Sequence, residues 1–188
     1  MLRNTRYRFG PVAKLLHWLI AALMLSLIPT GWYMVGLSDE DIWYYRFLDL
    51  HQAMGLSVFA LFVVKIIWML ISPNPKPLNS LPTWERRSAR VVHTLLIALM
   101  AVIPTLGYLF AAGQGDPIDL YGIIEIPGVI ELTKSEGELI IDLHAYFAYG
   151  CAVLIAIHIL AALKHHFIDK NNALARMLFG TQKIAGAE

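Results

Sequence analysis

Seven histidines, at positions 17, 51, 93, 144, 158, 165 and 166, stand in a chain whose mean hydropathy is +0.58. Polar rings in apolar helices need partners, because an unsatisfied polar group in hydrocarbon costs several kcal/mol. His144 and His158 are 14 residues apart. On an α-helix that interval is roughly 21 Å and returns to the same face within about 40°. The two rings therefore look the same way from two depths. His51 opens a second apolar segment at the depth of His144, and His17 lies just inside the first segment, nearer the depth of His158. The implied arrangement is two pairs, His51 with His144 and His17 with His158, stacked one above the other. Such pairs suit two six-coordinate b-type haems, each iron held by one imidazole from each of two helices. Bis-histidine ligation closes the coordination sphere and favours electron transfer over oxygen chemistry. Structural zinc wants four ligands around one point, which pairs about 20 Å apart do not supply. A histidine-lined proton or metal-ion transporter is the alternative from another class.

Lys65 follows His51 by the same 14 residues and should reach the level of His17 and His158. A lysine inside a membrane helix costs about 2.5–3.5 kcal/mol on insertion scales, so it needs an anion or an exit. A haem propionate is one partner; snorkelling to the nearby membrane surface is the other solution. Small residues, Gly55 after His51 and Ala148 and Cys151 after His144, would leave room for macrocycles. His93, His165 and His166 fit interfacial positions. The single cysteine excludes an intrachain disulfide and any Cys-based metal site.

These residues need a scaffold of membrane helices. Hydrophobic residues are 57% and charged residues 15% of the 188-residue chain, against about 25% charged in soluble domains. Four stretches, 15–37, 51–72, 91–112 and 139–163, are long enough to cross a hydrocarbon core, and none alternates as barrel strands do. The first is too long for a signal-peptide core and lacks an A-x-A site. Prolines 73, 75, 77 and 82 close the second segment, and Gly113, Gly115 and Pro117 close the third. The expected fold is all-α: residues 1–188 as one membrane domain, a four-helix transmembrane bundle enclosing two haems. The longest link, 113–138, carries an apolar patch at Ile123–Ile126 that suits the interface, and the tail from Asn171 is polar with one short amphipathic stretch.

Thirteen of the fifteen Lys and Arg fall on the side of both chain ends, which the positive-inside rule makes cytoplasmic. The other side sets two basic residues against eleven acidic ones, a net charge near −9. Membrane lipid is the expected surrounding, and no nucleic-acid partner is expected.

The chain resembles the bacterial cytochrome b561 family, which includes superoxide oxidases of the inner membrane. The resemblance rests on His17-Trp18, His51-x-x-x-Gly55, the run Pro73-Asn74-Pro75-Lys76-Pro77, and His93 with Pro104 and Gly107. It extends through His144 and His158 at their interval to Lys164-His165-His166-Phe167 and Asp169-x-x-Asn172-x-Leu174-x-Arg176-Met177. It implies a four-helix protein of the bacterial inner membrane with two haem b groups, on His17/His158 and on His51/His144. Electrons would pass between an outer partner, or superoxide, and the quinone pool. It also implies a quinone site, ubiquinone being the expected ligand, near the inner haem, where His165 is the candidate contact. A haem-b anchor subunit of a larger oxidoreductase is the alternative within this class. In one respect the chain departs from the superoxide oxidases, whose outer face is expected to be basic. Ser38-Asp39-Glu40-Asp41 opens an acidic face here, which repels an anion and suits a cationic redox partner.

Overall fold

A computed structural model describes residues 2–6, 8–76, 81–115, 117–128 and 130–178. Four long helices dominate it: α1 (Pro11–Met34), α2 (Ile42–Ile71), α3 (Thr83–Gly113) and α4 (Lys134–Phe167). All four are long and apolar enough to cross a membrane. Each begins ahead of its apolar stretch, where capping residues or a proline set the start, while α1 ends at Met34, short of the expected residue 37. Asp41 caps α2 by accepting from the Trp43 amide at 2.8 Å, and Thr133 and Glu136 form a reciprocal capping box on α4. Pro11 opens α1, where a missing amide proton costs nothing. Inside the helices, the hydroxyls of Ser26, Thr30, Ser57 and Thr105 donate to carbonyls four residues back, which satisfies them within hydrocarbon.

The packing is uneven in a way that matters for the site. The closely packed helix pairs are α1–α2, α2–α3 and α3–α4. Neither α1–α4 nor α2–α4 is among them. One buried cluster repeats this asymmetry: Ile20, Val58 and Met100, with Leu23, Met24, Leu27, Leu61 and Phe62 around them, all come from α1, α2 and α3. Helix α4 thus leans on α3 and stands off from α1 and α2, leaving a slot. Cys151, midway between His144 and His158 on α4, is 2% exposed.

The link between α3 and α4 adds a small antiparallel hairpin, β1 (Ile118–Leu120) paired with β2 (Ile124–Ile126), to the helical bundle. Its turn needs positive φ at both central residues, Tyr121 at 58° and Gly122 at 70°, and the Ile123 amide donates to the Leu120 carbonyl at 3.1 Å. Ile118 is buried, whereas Ile123 and Ile124 of the apolar patch are exposed. The Tyr121 hydroxyl shares a hydrogen bond of 3.1 Å with Ser57 and ties the turn to α2.

On the opposite face the ends of the chain knit the loops together. The Asn4 amide donates to Ser72 Oγ, the Lys76 amide to the Arg6 carbonyl, and the Arg176 guanidinium to the Lys76 carbonyl. Arg176 belongs to α5 (Ala173–Leu178), the short helix of the polar tail. Pro77, Asp116 and the tail from 179 onward lie outside the described residues.

Candidate functional site

The slot is lined at two depths. Toward the acidic face, His51 of α2 and His144 of α4 face each other with ring centroids 6.2 Å apart and planes at 68°. His144 Nδ1 bonds the Ile103 carbonyl of α3 at 2.9 Å. A carbonyl only accepts, so Nδ1 carries the hydrogen and Nε2 of the neutral ring keeps its lone pair. His51 Nδ1 turns toward the Leu27 carbonyl of α1 but makes no hydrogen bond there, and it is buried. Helix α1 thus backs His51 as α3 backs His144.

Toward the basic face, His17 of α1 and His158 of α4 repeat the arrangement, with centroids 6.2 Å apart and planes at 66°. His93 of α3 joins this level, its ring 5.1 Å from that of His158. Lys65 of α2 lies within electrostatic reach of His17 and His93. It is half-buried and makes no hydrogen bond or salt bridge among the described residues. Trp18 stands edge-on to His17 at 5.2 Å, and its Nε1 donates to the Met177 carbonyl at 3.1 Å, closing the slot on this side with α5.

Imidazole–metal bonds are about 2 Å, so one ion between two facing rings sets their centroids about 6 Å apart. Both cross-slot pairs are at 6.2 Å, whereas His93 and His158, at 5.1 Å, are too close to share an ion in this way. Space is available beside them: a Cβ placed on Gly55, one turn below His51, meets nothing within 4 Å. Paired imidazoles across a slot, with no thiolate among the facing groups, suit b-type haem.

One interval organises all four helices. His17 precedes Gly31 by 14 residues, His51 precedes Lys65, His93 precedes Gly107, and His144 precedes His158 by the same number. The basic-side tier is therefore three histidines and a lysine, and the acidic-side tier two histidines and two glycines. The interval could have marked His93 as a member of the slot; its place near the start of the apolar stretch hid it.

His165 is not in the slot. It sits two turns beyond His158 in an ionic cluster at the basic face. Lys164 Nζ bonds Glu85 Oε1 at 2.7 Å and Asp169 Oδ2 at 2.9 Å. His165 Nδ1 lies 2.7 Å from Asp169 Oδ2 and 3.8 Å from Glu85 Oε2. Leu81, Pro82, Glu85, Asp169 and Asn171 border a cavity of about 320 Å³ beside it. Glu85 Oε2 and Asn171 Nδ2 are buried there and make no hydrogen bond.

This cluster has a pH signature. Lys164 beside Asp169, with His165 adding to it, holds the Asp169 carboxyl below the usual carboxylate range. The anchorage it gives the tail is full above the ordinary carboxylate pKa and is lost as pH falls through the depressed value. Amide protection over 168–178, taken relative to the intrinsic exchange rate at each pH, should stay constant from neutral pH down to about pH 4 and fall only below it.

Comparison with known proteins bears on the whole chain. The family model described as prokaryotic cytochrome b561 matches residues 8–180. Cytochrome b561 homolog 2 of Escherichia coli is 35% identical over 175 residues, covering 93% of this chain and 93% of that protein. Cytochrome b561 homolog 1 of the same organism is 28% identical, covering 91% and 97%. A protein of Yersinia pestis named as a probable superoxide oxidase is 24% identical, covering 87% and 91%.

Proposed function

The chain belongs to the prokaryotic cytochrome b561 family, a family of membrane electron-transfer proteins with b-type haem, and we propose that it carries electrons across the bacterial inner membrane between a partner at its acidic face and quinone at its basic face. Membership decides between an electron carrier and a histidine-lined transporter in favour of the carrier. The carrying observation is the pair of equal 6.2 Å separations across one slot. On this reading His51 and His144 hold one haem and His17 and His158 a second. When bound, these groups supply reversible one-electron storage. Lys65 offers its ammonium to a propionate, since no protein carboxylate pairs with it among the described residues. The His144–Ile103 hydrogen bond fixes the tautomer that presents Nε2. The basic face is cytoplasmic by the positive-inside rule.

Charge supports the direction. The acidic face favours oxidised centres beside it, and Lys65 favours reduced ones on the basic side, so electrons run from the acidic face inward. His165 and the cavity at Glu85 and Asn171 are the quinone candidates, the family being one in which quinone is an expected partner. The partner at the acidic face is cationic on this reading, a basic soluble cytochrome or a basic domain. Stopped-flow reduction in proteoliposomes tests that choice. Exchange with a basic cytochrome should slow as salt rises from about 10 mM to 150 mM, as the Debye length falls from about 30 Å to 8 Å. Reduction by superoxide should speed up over the same range. The opposite dependence in either case would contradict the role given to the acidic face.

A further inference from the structure

The acidic-side tier contains two glycines where the basic-side tier has His17 and His93, and both glycines lie against an imidazole. A Cβ added to Gly31 of α1 would stand 3.0 Å from Cε1 and 3.5 Å from Nδ1 of His51. A Cβ added to Gly107 of α3 would stand 3.1 Å from Cε1 and 3.3 Å from Nδ1 of His144. Each glycine is four residues beyond the carbonyl that its histidine faces, Leu27 for His51 and Ile103 for His144. Both rings therefore rest in seats of one design: a helix carbonyl at one end and, one turn on, a bare Cα over which the ring edge lies. The seats belong to α1 and α3, while the rings come from α2 and α4. A methyl group at either glycine would push its ring by a few tenths of an ångström or turn it, because neither contact leaves room.

We propose that Gly31 and Gly107 are positioning residues that set the orientation of the acidic-side imidazole pair and thereby the geometry of the haem held there. This rests on the haem assignment made above. The basic-side pair lies roughly 21 Å away along the helices and has no such glycine seat among the described residues, so it serves as an internal reference. Gly150 of α4 is an additional control, since a Cβ there meets nothing within 4 Å.

The test compares G31A, G107A and G150A as purified full-length proteins, by haem-to-protein ratio and by low-temperature EPR of the oxidised state. The EPR readout is sensitive to the mutual orientation of axial imidazoles and needs no electron donor or acceptor. In G31A and in G107A we expect one of two low-spin signals to shift in its largest g value while the other stays. The shifted site should bind haem about 10-fold or more weakly, the usual cost of losing a group that orients a metal ligand. G150A should match the unaltered protein. Unchanged signals in both G31A and G107A would overturn the proposal. Loss of both haems from either variant would overturn it too, since the glycine would then serve the bundle and not one ring. A parent protein with only one haem, or none, would show up before any variant is made and would count against the haem assignment itself.

Discussion

Replacing His144 with alanine should lower the haem content from about two per chain to about one, and replacing His158 should do the same at the other level. The two remaining haems should differ in spectrum and potential, because their surroundings differ. H144A keeps a site flanked by Lys65, His93 and Trp18; H158A keeps one backed by Gly31 and Gly107. The informative companion is H93A. His93 is the nearest ring to His158, but at 5.1 Å it is too close for an ion to sit between them, whereas His17 is at 6.2 Å. H93A should therefore keep about two haems, with the basic-side signal shifted, and H17A should keep about one. If H93A lost a haem and H17A did not, the basic-side ligand would be His93.

Haem removal should weaken the whole bundle. Helix α4 packs on α3 and lies outside the buried cluster of Ile20, Val58 and Met100 formed by α1, α2 and α3. What joins it to α1 and α2 across the slot is the two sets of facing rings, and without an ion between them those rings only touch the gap. A ligand present at 100 times its Kd stabilises by about 2.7 kcal/mol, so two haems add about 5 kcal/mol, the scale of a small domain's stability. Protein made under haem starvation should therefore unfold some 10 °C or more below the loaded protein in the same detergent. Cys151 is a ready reporter, being the single cysteine and 2% exposed, so thiol labelling follows unfolding directly. Equal midpoints for the two preparations would mean that α4 is held by protein contacts alone.

Much of this architecture is legible in the residues themselves. Apolar stretches of membrane length mark the helices, and the interval between His144 and His158 predicts a shared face at two depths. The missed parts share a physical cause. Helix α3 begins at Thr83, but Thr83–Arg90 is polar and charged, so a hydropathy reading starts the helix late. His93 then looks like an interfacial first-turn residue, although it lies in the third turn. Gly31 and Gly107 carry no side-chain signal; their role is the atom they lack, visible only once His51 and His144 are placed against them. The hairpin at Ile118–Ile126 has strands of three residues, too short for alternation to stand out, and its turn depends on Tyr121 accepting positive φ. The Glu85–Lys164 ion pair joins residues 79 apart, a partnership that only the packing of α3 on α4 creates.

All of these expectations depend on two iron atoms sitting between facing imidazoles. Quantitative haemochrome analysis against amino-acid analysis, with EPR of the same oxidised sample, tests that most directly. The predicted result is about two b-type haems per chain, both low-spin with nitrogenous axial ligands. About one haem per chain, or a high-spin centre with an open coordination position, would contradict it.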